Sequence, residues 1–140
     1  HGVIGPDFLR VGGSSVNGAI APAGPLMVAN QLPDSNPIKK VALKFFKDFE
    51  AKYPRVRNSF AGYSYDAFLL IEAAAKVALK KAKPGTVEFR IALRDALEAT
   101  NGVVGTHAVY GMSKDDHNGV DKRAVVLVTV QKGAFQLLKD

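Results

Sequence analysis

Histidine and cysteine, the residue types with the most versatile acid–base and metal chemistry, are scarce in this chain. There are three histidines, His1, His107 and His117, and there is no cysteine. Without cysteine the chain has no disulfide scaffold, no thiolate zinc site and no cysteine nucleophile. No His-Glu-x-x-His motif joins the histidines to a carboxylate. The sequence therefore predicts no metal site and no cofactor.

The acidic stretch around His117 resembles a calcium-binding loop only superficially. Counting from the first aspartate of residues 115–119 (DDHNG), ligand position 3 is a histidine, position 5 a glycine and position 12 is Val126. A calcium loop needs acidic or amide ligands there and a glutamate at position 12. Because Asp, Asn and Gly are common turn formers, the stretch predicts a plain turn. A small α/β enzyme using His117 and Asp116 stays open as an alternative.

The other candidate nucleophiles and acids lack partners in the sequence. Ser14 and Ser15 follow two glycines but do not form the Gly-x-Ser-x-Gly motif of a nucleophile elbow. Asp66 is a lone carboxylate near the start of an apolar helix, where it is predicted to cap the helix or complement its dipole. No paired carboxylates in apolar surroundings stand out in the sequence as an acid–base pair. The chain is therefore predicted not to be an enzyme.

Four aromatic residues are grouped within nine positions of the chain: Phe60, Tyr63, Tyr65 and Phe68. Aromatic side chains dominate protein cores, so one interpretation is core packing. The alternative is the ring-lined wall of a ligand cleft, where tyrosine supplies both apolar area and a hydroxyl. The sequence leaves both interpretations open.

The basic character of the chain does not indicate nucleic-acid binding. Among 140 residues, 19 Lys and Arg stand against 13 Asp and Glu, a net charge of +6. Lysines alternate with acidic residues on the polar faces of the predicted helices, which is typical of solvated surface. No aromatic residues alternate with the basic ones, and no zinc-finger spacing occurs. No apolar run reaches about 18 residues, so no membrane span is predicted.

Apolar spacing predicts three helices and four strands. The helix starts are marked by capping residues, notably Asn36 before Pro37. A Lys132-Gly133 hairpin turn separates the last two strands. The predicted helices cover about residues 37–53, 62–82 and 87–100, and the predicted strands cover 16–23, 106–112, 124–131 and a short run from 135. Residues 1–16 are predicted as a loop with one turn of helix, and 24–35 as an irregular connector.

This order of elements offers little sheet for the helices to pack on. The helix at 62–82 is apolar nearly all round, so most of it is predicted to be buried. A self-contained α/β domain alternates strands and helices more regularly. The chain, which begins without methionine, is therefore expected to be part of a longer one. Strand 124–131 is expected to have unpaired edges, which would favour a homo-oligomer or a strand-swapped assembly.

The chain resembles the C-terminal portion of periplasmic solute-binding proteins of branched-chain amino acid-type ABC transporters. The resemblance extends over essentially all 140 residues and lies in the order and spacing of its pieces. These pieces are HGVIGPDFLRVGG, NGAIAPAGP, LPDSNPIKK, FKDFEAKY, AGYSYDAFLLIEAA, FRIALRDAL, ATNGVVGTHAVYGMSKDDHNG and VVLVTVQKGAFQLL.

This resemblance implies an α/β, type I periplasmic-binding-protein-like fold, with the chain covering parts of both Rossmann-like lobes. Residues 1–23 would end the second lobe, 24–115 would form part of the first, and 116–140 would return to the second. The segments near 22–36 and 113–123 would cross between lobes and act as hinges. The sheet neighbours would come from an N-terminal half outside this sequence.

The resemblance also implies a ligand site between the lobes. Amino-acid-binding members place an acidic residue before the glycine of the first loop to pair with the ligand ammonium, and here that position holds His1. An imidazole cannot replace a carboxylate in that role, but it can donate a hydrogen bond to a carboxylate or carbonyl. Phe60 matches a position where the family places a ring against the ligand, and Tyr63 is its neighbour. The predicted ligand-binding residues are His1, Phe60 and Tyr63.

The predicted function is that of a periplasmic solute receptor of an ABC importer. The ligand would be a small carboxylate-bearing molecule, an aromatic or keto acid rather than an amino acid. The partners would be that ligand, the membrane subunits of the transporter and the N-terminal half, and no nucleic acid. A ligand-sensing regulatory domain of the same fold is the alternative.

Overall fold

A computed structural model of the protein describes residues 3–54 and 58–138. Within these ranges, short connections join the helices and strands. The helices are α1 (Pro6–Gly12), α2 (Pro37–Lys52), α3 (Ser59–Ala78) and α4 (Val87–Glu98). The strands are β1 (Ile20–Ala23), β2 (Asn101–Val104), β3 (Val109–Gly111), β4 (Val126–Gln131) and β5 (Ala134–Leu137). Short 3₁₀ turns occupy Gly13–Val16, Pro25–Gln31 and Lys122–Ala124.

Side-chain caps set the starts of the three long helices. The Asn36 side chain accepts a hydrogen bond from the amide of Ile38 at 3.0 Å, and Pro37 follows it at the first helical position. Thr86 caps α4 in the same way. These caps satisfy amide groups that have no partner within the helix. Asn58 caps α3 through the amide of Ala61, which is why α3 begins three residues before the predicted start.

The strands form a three-stranded antiparallel sheet and a separate two-stranded ribbon. In the sheet, β4 lies between β1 and β5, with Thr129 opposite Ile20 and Val130 opposite Phe135. The expectation that strand 124–131 has unpaired edges is therefore wrong, because β4 is the central strand. The β4–β5 turn has positive φ at Lys132 and Gly133, as the primed hairpin turn requires. The ribbon pairs β2 with β3.

The connector between β1 and α2 is part of the core rather than a surface loop. It contains the 3₁₀ turn Pro25–Gln31, in which Leu26 and Val28 are fully buried. Leu26 packs with the buried face of α2, whereas Val28 packs against β4 and β5. The turn therefore joins the two apolar clusters of the described residues.

Helix α3 is less buried than its composition predicts. Its inward stripe repeats every four residues and includes Gly62, Asp66 and Leu70. Phe68 and Ile71, on another side of the helix, are 57% and 52% exposed. The prediction that most of this helix is buried is thus wrong for the described part of the chain. Neither α3 nor any other helix in that part is long and apolar enough to cross a membrane.

Candidate functional site

A cavity of about 530 Å³ lies where α3, the segment before β3 and residues 118–125 meet. Four of its lining residues carry rings: Phe60, Tyr63, His107 and Tyr110. The others are Ala108, Asn118, Val120, Ala124 and Val125. Within the described residues, no Lys, Arg, Asp or Glu side chain lines it. Its walls are therefore mainly apolar, with a few polar groups.

The structure brings two of the three predicted site residues together on this cavity. Phe60 and Tyr63 lie one helical turn apart on α3, and Phe60 is 66% exposed. Tyr65 and Phe68 do not join them, because Tyr65 packs on Phe45 with ring centroids 5.1 Å apart and has Phe68 on the same side. Tyr65 therefore packs on the core and Phe60 and Tyr63 line the cavity, while Phe68 is 57% exposed. His1 lies outside the described residues.

Asp66 holds the backbone that forms one wall of the cavity. Its carboxylate is buried and accepts hydrogen bonds from the amides of Thr106 and His107 at 2.6 and 2.9 Å. It also accepts one from the hydroxyl of Tyr110 at 2.9 Å. Hydrogen bonds to an ionised acceptor are stronger than neutral ones. The predicted cap or dipole role of Asp66 is therefore wrong, because its partners lie about 40 residues away, outside its own helix.

His107 is buried beside Asp66 and supports the Tyr63 ring. Its Nε2 lies 3.1 Å from the carbonyl oxygen of Ser59. Its ring stacks on Tyr63, with centroids 3.8 Å apart and 15° between the planes. Burial lowers the pKa of His107, while the Ser59 carbonyl and the Asp66 charge act in the opposite direction.

The phenol groups of the cavity stay protonated at ordinary pH. Burial raises the pKa of Tyr63, and the charge of Asp66 adds to the effect. Burial and the same carboxylate also raise the pKa of Tyr110. A protonated phenol can donate a hydrogen bond. The cavity can therefore offer rings and neutral polar groups to a ligand.

Three glycines let the chain segments approach around this site. A Cβ at Gly24 would overlap Nδ1 of His107, and a Cβ at Gly105 would lie 2.6 Å from the Asp66 carboxyl carbon. A Cβ at Gly62 would lie 2.9 Å from both Nε2 of His107 and Oγ1 of Thr106. Real Cβ atoms do not approach other atoms so closely. Positions 24, 62 and 105 therefore require glycine, because the neighbouring side chains lie against its backbone where a Cβ would otherwise stand.

His117 and Asp116 are occupied by other contacts. Nε2 of His117 lies 3.3 Å from a carboxylate oxygen of Glu98. Asp116 accepts hydrogen bonds from the amides of Asn118 and Gly119, as the predicted turn requires. Within the described residues no group of three or more potential metal ligands occurs. The structure thus gives no support to an enzyme site at these two residues.

Sequence reasoning missed His107, Tyr110 and Gly24 as parts of the site. His107 has no partner within four residues of sequence, and its contacts come from α3 and from the segment after β1. The available signal was weak: Gly24 and Gly62 lie outside the tight turns that usually explain glycine, and Gly105 adjoins the sharp connection between β2 and β3.

The comparisons with solved structures identify the fold. An extracellular ligand-binding receptor from Rhodopseudomonas palustris HaA2 is 40% identical, with a TM-score of 0.89 over 96% of this chain and 38% of the receptor. A leucine binding protein from Thermotoga maritima is 22% identical, with a TM-score of 0.70 over 99% of this chain and 35% of that one. A candidate branched-chain amino acid ABC transporter protein from Rhodospirillum rubrum is 25% identical, with a TM-score of 0.62 over 96% and 34%.

These likenesses confirm the predicted fold class. The chain has the α/β fold of type I periplasmic binding proteins and spans 38% of the length of the first receptor. The matched proteins carry the names of ligand-binding receptors and binding proteins rather than enzymes. No protein-family model and no curated protein matches the sequence.

Proposed function

We propose that this chain is part of a periplasmic solute-binding receptor of an ABC importer, and that the cavity beside Phe60 forms part of its ligand-binding surface. The observation that carries the proposal is the 40% identity and TM-score of 0.89 to an extracellular ligand-binding receptor. This similarity extends over 96% of the chain. The ligand would close the receptor by contacting both lobes, which shifts the population toward the closed state.

The exposed ring of Phe60 supports a ligand role for the cavity. A phenylalanine 66% exposed beside an open cavity leaves apolar area in water. Covering such area is favourable by about 25 cal/mol per Å². A ligand with a flat or branched apolar body would cover Phe60 and Tyr63 together.

The ligand class proposed is a small aromatic or keto acid rather than an amino acid. Within the described residues the cavity offers no carboxylate to an ammonium group. In the proposed site His1 would stand where amino-acid-binding relatives carry an acidic residue, and an imidazole can donate a hydrogen bond to a carboxylate or keto oxygen. His1 would hold the polar end of the ligand, and Phe60 and Tyr63 its apolar end.

The proposed lobes are residues 1–23 with 116–140, and residues 24–115. Two observations support this division: β1, β4 and β5 form one sheet from the first two ranges, and α2, α3 and α4 all come from the third. The proposed partners are the ligand, the transporter membrane subunits and the remaining portion of a receptor-length chain. The names of the matched receptors support a periplasmic location.

Ligand titration followed by NMR tests the proposal on the 140-residue chain. The probes are phenylpyruvate, 4-methyl-2-oxopentanoate and leucine, the last two differing only in a keto or an amino group at the α carbon. We expect both keto acids to shift the ring resonances of Phe60 and Tyr63, and leucine to shift them less. Phe60→Ala should weaken binding by about tenfold, since one buried aromatic contact contributes on the order of 1–2 kcal/mol.

Phe68→Ala is the matched control, because Phe68 is 57% exposed on the same helix but does not line the cavity. It should leave the titrations unchanged. His1→Glu should shift the preference from 4-methyl-2-oxopentanoate toward leucine. Shifts confined to residues elsewhere, or equal losses for the two phenylalanine variants, would contradict the proposed site. Stronger binding of leucine than of its keto acid would contradict the ligand class alone.

A further inference from the structure

The His107 imidazole lies between three separate parts of the chain. Nε2 faces the Ser59 carbonyl at the start of α3, 3.1 Å away, and the ring stacks on Tyr63 one turn later. The opposite nitrogen, Nδ1, lies against the backbone at Gly24, where no Cβ would fit. His107 therefore connects a ring of the cavity with the segment that leads from β1 into the core.

The hydrogen-bond partner fixes the tautomer of this imidazole. A carbonyl oxygen only accepts hydrogen bonds, so Nε2 carries the hydrogen in the neutral ring. Nδ1 then has a lone pair, and it is buried without a hydrogen-bond partner among the described residues. A lone pair can lie against a glycine backbone at moderate cost, whereas an N–H of a charged ring would lack an acceptor there.

The charged and titratable groups around the ring come from α3 and β3. Helix α3 contributes Tyr63 and Asp66. The negative charge of the Asp66 carboxylate favours the protonated form of His107. From β3 the hydroxyl of Tyr110 reaches the same carboxylate. The packed segment 24–31 (GPLMVANQ) carries no titratable side chain. Among the residues that the structure describes, nothing on the Nδ1 side of the ring thus compensates a positive charge.

We propose that His107 is a positioning residue of the cavity, and that it holds the Tyr63 ring and the Gly24 segment together only as the neutral imidazole. Protonation puts an N–H against Gly24, and the ring relieves this by moving away from that backbone. Because Tyr63 stacks on the same ring, the cavity wall changes with it. The consequence for binding rests on the proposed function, since it concerns the same cavity.

The direction of the His107 pKa agrees with this geometry. Burial lowers it below the ordinary value of about 6.5, although Asp66 and the Ser59 carbonyl favour the charged form. The unfolded chain therefore binds this proton at a higher pH than the folded chain does. The contribution to stability is complete above about pH 6.5 and decreases as the pH falls from there toward the lowered folded pKa.

An NMR titration of the ¹³C,¹⁵N-labelled chain from about pH 8 to pH 5 tests the proposal without any ligand. We expect His107 to be the Nε2–H tautomer with a midpoint below 6.5, and the Tyr63 ring resonances to move with that midpoint. Tyr53, which packs on Phe49, is the internal control and should not follow it. His117→Asn, a change at an exposed histidine, should leave both responses unchanged.

Two variants separate positioning from simple support of the fold. His107→Gln keeps an amide N–H for Ser59 but removes the titrating ring. The Tyr63 resonances should then no longer respond to pH, and the decrease in stability that His107 causes below about pH 6.5 should disappear. Gly24→Ala should displace the ring at every pH and give Tyr63 at pH 8 the resonances it otherwise shows in acid. Gly5→Ala is the matched control, because a Cβ there meets open space.

An Nδ1–H tautomer, or a Tyr63 response that does not follow the His107 midpoint, would overturn the proposal. A Gly24→Ala variant with unchanged Tyr63 resonances would also overturn the proposal. This second variant keeps the test decisive if His107→Gln does not fold. The outcome is independent of the ligand titrations. Failure of every ligand probe would leave this inference standing, and failure of the pH titration would leave the proposed function standing.

Discussion

At the scale of single residues, Asp66 decides the shape of the site although it does not line the cavity. Its two carboxylate oxygens take three hydrogen bonds from the segment 106–110, about 40 residues away. Those contacts fold the chain sharply between β2 and β3, which is why the ribbon strand begins at Val109 rather than at the predicted Thr106. They also place His107 and Tyr110 beside α3.

Asp66→Asn should destabilise the chain by about 2–3 kcal/mol. The amide nitrogen of asparagine would face a donor where a carboxylate oxygen now accepts, so at least one of these buried donors loses its partner. The loss should appear as a lower urea midpoint in equilibrium unfolding, with the slope unchanged.

Asp7→Asn provides the comparison for this measurement. Asp7 pairs with Arg10 at 2.9 Å, but both side chains are largely exposed. Exposed ion pairs contribute about 0–1 kcal/mol, so this variant should unfold close to the parent. Equal losses for the two variants would mean that the Asp66 network does not stabilise the fold.

At the scale of elements, the outer edge of strand β5 forms hydrogen bonds with a side chain rather than with another described strand. The Gln31 amide donates to the carbonyl of Phe135 at 3.1 Å and accepts from the amide of Leu137 at 2.7 Å. It thus takes the hydrogen bonds that a neighbouring strand would take. Open strand edges attract other chains, so this contact protects the sheet against edge-to-edge pairing.

Gln31→Ala should expose this edge and increase self-association. The variant leaves a carbonyl and an amide of β5 without their partner, which should cost about 1–2 kcal/mol of stability. Sedimentation velocity at increasing concentration should show larger species than the parent chain gives. Asn30→Ala, at the exposed neighbouring residue, should behave like the parent. If the two alanine variants sediment alike, Gln31 does not protect the edge.

At the scale of the whole molecule, one side of α3 lacks a partner among the described residues. Phe68 and Ile71 on α3, and Leu79 directly after its end, are each more than half exposed, at 57%, 52% and 55%. Exposed apolar patches of this kind are typical of interaction surfaces. In the proposed receptor the remaining portion of the chain would cover this side of α3, and without it a homo-oligomer stays the prediction for the 140-residue chain.

Ile71→Lys should shift the isolated chain toward monomer, because a charge in the centre of the apolar side opposes contact there. Multi-angle light scattering across a concentration series measures the change. Val11→Lys is the matched control, since Val11 is 75% exposed on α1, away from α3. A parent chain that stays monomeric at every concentration would show that this prediction is wrong.

Local signals in the sequence determined most of the secondary structure, and the resemblance carried by the order and spacing of longer pieces implied the fold class. Asn36 caps α2 where the sequence predicts, and Lys132-Gly133 forms the predicted hairpin turn. These features depend on neighbours within a few residues, so their chemistry can be read directly from the sequence. The placement of Phe60 and Tyr63 on one wall follows from helical spacing only because Asn58 starts α3 at Ser59, before the predicted start, so that residues three apart share a face.

Tertiary structure alone decided which of these residues form a site. Asp66, His107 and Gly24 meet from three segments, and neither hydrogen bonding nor backbone approach across such distances leaves a periodic signal in the sequence. The pairing of β4 on both sides and the closure of β5 by Gln31 likewise depend on packing between distant elements. Local chemistry determines where an element begins and ends, while burial between elements determines which side chains share a cavity.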